Sequence, residues 1–276
     1  MIVDAQIHLW EADRPGRPWP TAGEGGRTAT PQREQPMSAA EAIAELDHAG
    51  VERAIIVPPS WEGDRNDVAL GAVADYPGRF AVMGRIPPGE DSLAERLRAW
   101  RDPPAMLGAR LILTPADPRT ANPDHPFWHA AAAARLPLML APAGQMPALA
   151  AIARRHPDLP LIVDHMGARV HRKGAAAFAQ IEDVLALAAL PNVAVKATCL
   201  PDYSSEAPPW SDVAGHVEAL FHRFGAQRLF WGSDLSRLPC PYPVLVETFA
   251  TGFAWLRGRD RDLVMGDAIR AWLRWK

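Results

Sequence analysis

Three short apolar runs of this sequence each end in a side chain that can transfer a proton or bind a metal ion. His8 ends the first run, His165 ends a run that begins at Leu161, and Asp234 ends a run that begins at Leu229. The carboxyl ends of parallel strands meet at one rim of a (β/α)8 barrel, where enzymes of that fold place their active sites. His8, His165 and Asp234 are therefore predicted to converge as catalytic groups.

Each of these positions has more than one interpretation. Side chains alternate along a strand, so Gln6 and His8 share one side of it, and His8 can bind a metal ion, bind substrate or be a hydrogen-bonded core group. The same alternation separates Asp164 from His165; we expect His165 to face the cavity and Asp164 to make structural contacts. Asp234 can accept a proton from water or coordinate a cation, although an acid there can also cap a helix.

Two cationic side chains, Arg110 and Lys196, interrupt runs that are otherwise apolar. Because a buried charge needs a partner, each is predicted either to hold a substrate carboxylate or to form a structural ion pair with an interior acid. Arg237 is a further candidate for the carboxylate, and the long loops bring aromatic side chains to the same rim. The predicted substrate-binding residues are Gln6, Trp10, Arg110, Lys196, Arg237 and Tyr242.

The elements that position these groups alternate between strand and helix, which predicts a parallel sheet covered by helices. Strands are predicted at residues 2–8, 53–58, 80–85, 108–113, 137–141, 161–165, 193–196 and 228–231. Helices are predicted at residues 39–48, 93–100, 127–135, 146–156, 175–190, 213–224, 244–256 and 262–275, with Ser38 and Ser92 as N-caps and Gly50 ending the first. Residues 1–276 are thus predicted to form a single-domain α/β fold, a (β/α)8 TIM barrel, with long loops at 10–37, 200–211 and 235–243 on its catalytic face.

Composition narrows the classes of protein to consider. Apolar residues make up 48% of the chain and charged residues 22%, an ordinary globular balance. A formal net charge of -3 gives no electrostatic reason to bind nucleic acid or an anionic membrane. We find no pattern of a secretory signal and no apolar run of about 20 residues, so a cytoplasmic location is expected. Cys199 and Cys240 show no disulfide framework or nucleophile pattern and have no assigned role.

The segments that carry these residues resemble a known family. They are residues 4–10, 108–110, 163–167 and 231–234, which read DAQIHLW, GAR, VDHMG and WGSD. Together they resemble the amidohydrolase-2 branch of the amidohydrolase superfamily, over nearly the whole chain. That branch contains lactonases that act on sugar acids and on 2-pyrone-4,6-dicarboxylate, and non-oxidative decarboxylases of aromatic acids.

The resemblance also sets an expectation for metal. Family metal sites use a His-x-His pair on strand one and a histidine at the end of strand five, where this chain has Gln6 and Ala141. The remaining ligands would be His8, His165 and Asp234, enough for one zinc or manganese ion. With two nitrogen ligands replaced, we expect no tightly held cation.

The resemblance implies hydrolysis of a lactone or related ester of a small carboxylic acid. Asp234 would act as general base and acid, and His8 and His165 would polarise the carbonyl group. Two alternatives remain: a metal-dependent decarboxylase of an aromatic acid, and a barrel that binds a small acid without turnover. A homodimer is also expected, because the helix surfaces are rich in apolar residues.

Overall fold

Eight parallel strands form a barrel in which each strand is hydrogen-bonded to the next in chain order. The computed structural model describes residues 1–20, 31–86, 92–142 and 144–276. Its strands are β1 (Val3–Ile7), β2 (Arg53–Ile56), β3 (Phe80–Arg85), β4 (Met106–Ile112), β5 (Leu138–Ala141), β6 (Leu161–Val163), β7 (Val193–Thr198) and β8 (Leu229–Gly232). Each overlaps a predicted strand, so the predicted (β/α)8 fold is confirmed.

Helices cover the outside of the barrel. They are α1 (Ala39–Ala49), α2 (Asp67–Asp75), α3 (Leu93–Arg98), α4 (Pro118–Ala121), α5 (Pro126–Ala133), α6 (Met146–Arg155), α7 (Gly174–Ala177), α8 (Ile181–Ala186), α9 (Leu200–Tyr203), α10 (Ser211–Phe224), α11 (Tyr242–Glu247), α12 (Gly258–Asp262) and α13 (Ala268–Leu273). The predicted ends of α1 are confirmed. Ser38 Oγ accepts a hydrogen bond from the Glu41 N–H at 3.2 Å, and Gly50 ends the helix in the left-handed conformation, with φ 69°.

The helix predictions were less accurate than the strand predictions. Helix α2 was missed, because its buried face is formed by the small side chains of Ala69 and Ala72, which give a weak pattern. Ser92 makes no capping hydrogen bond to α3, and its backbone is left-handed, with φ 55°, whereas an N-cap residue typically has an extended backbone. The predicted helix 175–190 divides into α7 and α8, and the two C-terminal helices are interrupted by π-helical turns at Thr248–Gly252 and Leu263–Asp267.

The carboxylate of Asp4 closes the seam between β1 and β8. Its Oδ1 accepts from the Ser233 N–H at 2.8 Å, and its Oδ2 accepts from the Tyr242 hydroxyl at 2.7 Å and from the Ser233 hydroxyl. The Asp234 N–H donates to the Gln6 carbonyl oxygen at 2.9 Å. The first and last strands therefore deliver Gln6 and Asp234 to adjacent positions on the rim.

Two apolar layers lie on the two sides of the sheet. The inner layer includes Met83, Met139, Ile162 and Phe230, and residues of α13 pack against it from the amino-terminal end of the barrel. The outer layer joins the strands to the surrounding helices. The interior below the rim is thus filled by side chains, as in other barrels of this kind. Among the described residues, no helix combines the length and the hydropathy of a membrane span.

The loop after β1 is tied to the barrel by a buried arginine. Arg17 is 9% exposed, and its Nε and Nη1 donate to Glu62 Oε1 at 2.8 Å and to Asp67 Oδ2 at 2.6 Å. Part of the predicted 10–37 loop, residues 21–30, lies outside the described residues. The other two predicted loops contain short helical turns, α9 and Leu235–Arg237.

Candidate active site

A β-bulge in β1 turns Gln6 and His8 into the barrel. The pairing of β1 with β2 shifts by one residue between Asp4 and Ile7, so the alternation of side chains changes there. Ile7 packs in the outer layer, whereas Gln6 and His8 face inward and are 0% and 5% exposed. Gln6 and His8 lie on the same side of the strand, as their spacing indicates.

The end of β6 brings two neighbouring side chains into the interior, which corrects our expectation that only one would face it. Asp164 lies two residues after Ile162 of the inner layer and points inward by ordinary alternation. The strand ends at Val163, and His165 adopts a left-handed backbone with φ 50°, which returns its side chain to the barrel axis as well. Such a conformation is uncommon for a residue with a side chain and is typical of functional sites.

Asp164 forms a buried ion-pair network. Its Oδ1 lies 2.8 Å from Lys196 Nζ, and its Oδ2 accepts from Arg110 Nε at 3.1 Å. Burial alone would raise the pKa of Asp164, but the charges of Lys196 and Arg110 outweigh it and lower that pKa to about 2. Asp164 therefore makes the structural contacts that we expected of it, and both cations have the interior acid that was one of their predicted partners.

Lys196 connects this network to Gln6. Its side chain is completely buried, and its Nζ donates to Gln6 Oε1 at 2.5 Å and to Met139 Sδ at 3.1 Å, in addition to the contact with Asp164. Burial lowers the pKa of Lys196, whereas Asp164 opposes that shift. Nζ thus has two hydrogen-bond acceptors and one ion-pair partner inside the protein, so Lys196 has no surface to offer to a substrate.

The two imidazoles are oriented by their Nδ1 atoms. His8 Nδ1 lies 2.5 Å from the Val57 carbonyl oxygen, which can only accept, so His8 carries a proton on Nδ1. His165 Nδ1 lies 2.8 Å from Thr198 Oγ1. Burial lowers the pKa of His165 to about 3, although Asp234 and Asp164 oppose that shift, so His165 is neutral at physiological pH. Both Nε2 atoms face the centre of the site.

Asp234 lies beside both Nε2 atoms. Its Oδ1 is 3.0 Å from His8 Nε2, and its Oδ2 is 3.9 Å from His165 Nε2 and 3.4 Å from Arg237 Nη1. Burial would raise the pKa of Asp234, but His8, Arg237 and His165 hold it well below its usual value. No aligned hydrogen-bond donor for Oδ1 exists among the described residues, so this oxygen can accept a hydrogen bond from a water molecule.

The other predicted residues lie around this centre. Arg110 keeps 11% of its side chain exposed, and Arg237 joins Asp234 to Asp202, whose Oδ2 is 2.5 Å from Arg237 Nη2. Trp10 is buried and packs edge-on against Trp61, with ring centroids 5.2 Å apart. Tyr242 belongs to the seam through its hydrogen bond to Asp4.

Sequence reasoning missed two residues of this arrangement, Thr198 and Asp202. Thr198 could have been predicted from the sequence, because it follows Lys196 by two residues on β7 and therefore faces the same side of the sheet. Asp202 lies in α9, on a loop whose path the sequence does not reveal.

The donor set does not fit a tightly held divalent cation. His8, His165 and Asp234 surround one point, but the amide nitrogen of Gln6 lies 3.3 Å from His8 Nε2 and 3.4 Å from His165 Nε2. An amide N–H group cannot bind a metal ion, and Ala141 has no donor atom in its side chain. Within residues 1–20, 31–86, 92–142 and 144–276, no group of three or more His, Cys, Asp or Glu side chains could hold a metal ion.

Comparisons with known proteins show what this chain is similar to. The sequence matches the family described as Amidohydrolase over residues 3–276. It is 30% identical over 283 residues to an L-fucono-1,5-lactonase of Burkholderia ambifaria, covering 98% of this chain and 91% of that protein.

Two crystal structures share the fold over nearly their whole length. An amidohydrolase of Burkholderia multivorans with bound zinc has a TM-score of 0.76 and 24% identity, covering 99% of both chains. A probable 2-pyrone-4,6-dicarboxylic acid hydrolase of Acinetobacter baumannii with bound citric acid has a TM-score of 0.73 and 17% identity, also covering 99% of both chains.

Proposed function

The chain belongs to the amidohydrolase family, and we propose that it hydrolyses a lactone or related ester of a small carboxylic acid. The observation that carries this proposal is the buried carboxylate of Asp234, whose two oxygens lie beside the Nε2 atoms of His8 and His165. Its Oδ1 has no aligned hydrogen-bond donor among the described residues. The lactonase relative, at 30% identity over 98% of this chain, supports lactones as the substrate class.

In the proposed mechanism, Asp234 Oδ1 takes a proton from a water molecule as that water attacks the lactone carbonyl carbon. The carbonyl oxygen becomes an oxyanion, which accepts a hydrogen bond from the side-chain amide N–H of Gln6. When the tetrahedral intermediate collapses, the ring C–O bond breaks and the leaving alkoxide takes the proton back from Asp234. A carboxyl with a lowered pKa holds that proton weakly, so it favours this return.

Of the three candidate cations, Arg110 and Arg237 are the ones we propose for substrate. Arg110 uses its Nε for Asp164 and keeps 11% of its side chain exposed, and its remaining guanidinium N–H groups can donate to a carboxylate or hydroxyl group. Arg237 already contacts Asp234 and fixes its orientation. Lys196 is completely buried and is left out of this role.

The test is a panel of sugar-acid lactones and aromatic acids, with products identified by NMR. We expect ring opening of at least one lactone, and a fall of about 10²–10⁴-fold in kcat/KM for Asp234→Asn, the range for removal of a general base. Asp202→Asn is the matched control, because it removes the other carboxylate bound to Arg237 and leaves the Oδ1 of Asp234 untouched.

Three results would contradict the proposal. Loss of carbon dioxide from an aromatic acid would identify a lyase instead. Ligand binding without any product would indicate a binding protein. An Asp234→Asn variant that keeps more than about a tenth of the activity would remove Asp234 from the role of base, given the expected effect of a lost general base.

A further inference from the structure

The hydrogen bond from Lys196 determines which way the Gln6 amide group faces. Lys196 Nζ lies 2.5 Å from the Gln6 side chain, and a charged ammonium group can only donate hydrogen bonds. The amide must therefore present its oxygen to Lys196. Its NH₂ group is forced toward the opposite side, where His8 Nε2 and His165 Nε2 lie at 3.3 and 3.4 Å.

The two amide hydrogens have different surroundings. Thr198 Oγ1, 2.8 Å from His165 Nδ1, can accept the ring proton on that nitrogen, and His165 Nε2 then accepts one of the amide hydrogens. His8 Nε2 has a second neighbour, Asp234 Oδ1 at 3.0 Å, so its contact with the amide is the one that an incoming oxygen atom can replace. One N–H of Gln6 is thus aimed into the site while the other anchors the amide.

We infer that Lys196 and Gln6 together take the place of a divalent cation in this barrel. The ammonium group draws electron density from the amide oxygen and so strengthens the N–H donors on the other end, in an interior of low dielectric. Gln6 then polarises the substrate carbonyl, and Lys196 is the positioning residue that keeps the amide in this orientation. The role of Gln6 as electrophile rests on the proposed lactone hydrolysis, whereas the exclusion of metal does not.

The same arrangement keeps a metal ion out in two ways. The NH₂ group lies between the two imidazole nitrogens that a cation would have to share. Rotating the amide to offer its oxygen would point the NH₂ group at the ammonium, donor against donor. In addition, Lys196 is completely buried and bound to Asp164 at 2.8 Å, so its positive charge cannot move away from an arriving cation.

Metal content tests the exclusion without any substrate. Wild-type protein, Gln6→His, Lys196→Met and the double variant are incubated with zinc chloride, desalted and measured by elemental analysis. We expect well under about 0.2 equivalents in wild type and in either single variant, and about one equivalent in the double variant, which has a full ligand set and no ammonium. Lys276→Met, on the surface, controls for loss of one positive charge.

Three results of the zinc measurement would contradict the inference. Wild-type protein that holds about one equivalent of zinc and loses it together with activity on chelation would overturn the inference. Equal zinc uptake by Gln6→His alone and by the double variant would show that Lys196 excludes nothing. Absence of zinc from a folded double variant would show that the amide and the ammonium are not what prevents binding.

Enzyme activity tests the proposed roles of Gln6 as electrophile and of Lys196 as its positioning residue. We expect Gln6→Leu to lower kcat by about 10²–10³-fold, as for loss of one oxyanion donor, with little change in KM. Lys196→Gln keeps a hydrogen-bonding group but allows the amide to turn, so it should lower kcat by about 10-fold or more at similar KM. If KM rises and kcat is unchanged, these residues bind substrate and do not polarise it. If no lactone is hydrolysed but the zinc contents follow the expected order, the proposed function fails while the exclusion of metal stands.

Discussion

Replacing Asp164 by Asn should destabilise the protein far more than replacing a surface acid in a shorter ion pair. Asp164 lies 2.8 Å from Lys196 Nζ and 3.1 Å from Arg110 Nε, and Lys196 has no exposed surface. Removing the acid leaves a buried ammonium uncompensated, which costs about 3–5 kcal/mol. Since a domain is stable by about 5–15 kcal/mol in total, this is a large fraction.

The matched control is Asp47→Asn. Asp47 Oδ1 lies only 2.6 Å from Arg79 Nη2, but the Asp47 side chain is 60% exposed, so water screens the pair. We expect a loss of about 0–1 kcal/mol there. The comparison separates the two quantities that could determine the loss of unfolding free energy. If distance decided, Asp47→Asn would cost more, and if burial decides, Asp164→Asn costs more.

A double-mutant cycle completes the test. Lys196→Met combined with Asp164→Asn removes both buried charges, so its cost should be smaller than the sum of the single losses by about 2 kcal/mol or more. Free energies of unfolding are measured by urea denaturation with circular dichroism. Additive losses, or a cost for Asp164→Asn no larger than that for Asp47→Asn, would refute the argument that a buried ion pair organises the interior.

Three further predictions concern the seam and the imidazole. Gly232→Ala should destabilise the protein by about 1–3 kcal/mol by overpacking, since its Cβ would lie 2.7 Å from Thr198 Cγ2; thermal denaturation measures this. Tyr242→Phe should cost about 0.5–1.5 kcal/mol in the same measurement and leave kcat unchanged, because Asp4 keeps its two bonds to Ser233. The pKa of His165, lowered to about 3 from 6.5, means that the unfolded chain binds more protons between those values. The free energy of unfolding should therefore fall as pH drops through this range, by up to about 1.4 kcal/mol per pH unit. In urea titrations at several pH values, the free energy of unfolding of His165→Gln should change less with pH than that of the wild type.

The strands were predictable because each is a short apolar run followed by a turn signal. A run buried on both faces needs no knowledge of its neighbours, so residues 80–85 and 193–196 could be placed from composition alone. The helices were harder where their buried face is built from alanine, as in α2, or where a π-helical turn shifts the periodicity, as at Thr248–Gly252. These features depend on tertiary packing.

Convergence of the site was predictable from strand order, but the directions of its side chains were not. The rule of alternation places Asp164 inside and excludes His165, yet both are inside because His165 has a φ of 50°. Cys199 and Asp234, which follow β7 and β8, have the same left-handed backbone, with φ of 61° and 56°. A left-handed residue costs roughly 1–2 kcal/mol, so only the surrounding structure can impose it, and a sequence does not display it.

The charges of the interior indicate which kind of ion this site can accept. Arg110 and Lys196 share the single carboxylate of Asp164, so that side of the barrel carries one positive charge in excess. On the other side, Arg237 lies between Asp234 and Asp202, which leaves one negative charge in excess. A divalent cation added to this balanced arrangement would leave two buried positive charges without partners, which is costly. An oxyanion that forms beside Gln6 adds one negative charge next to the side of the barrel that has the positive charge in excess. Lys196 can stabilise this oxyanion through the Gln6 amide. The interior is therefore arranged for a reaction that builds negative charge on a carbonyl oxygen, as attack of water on a lactone does.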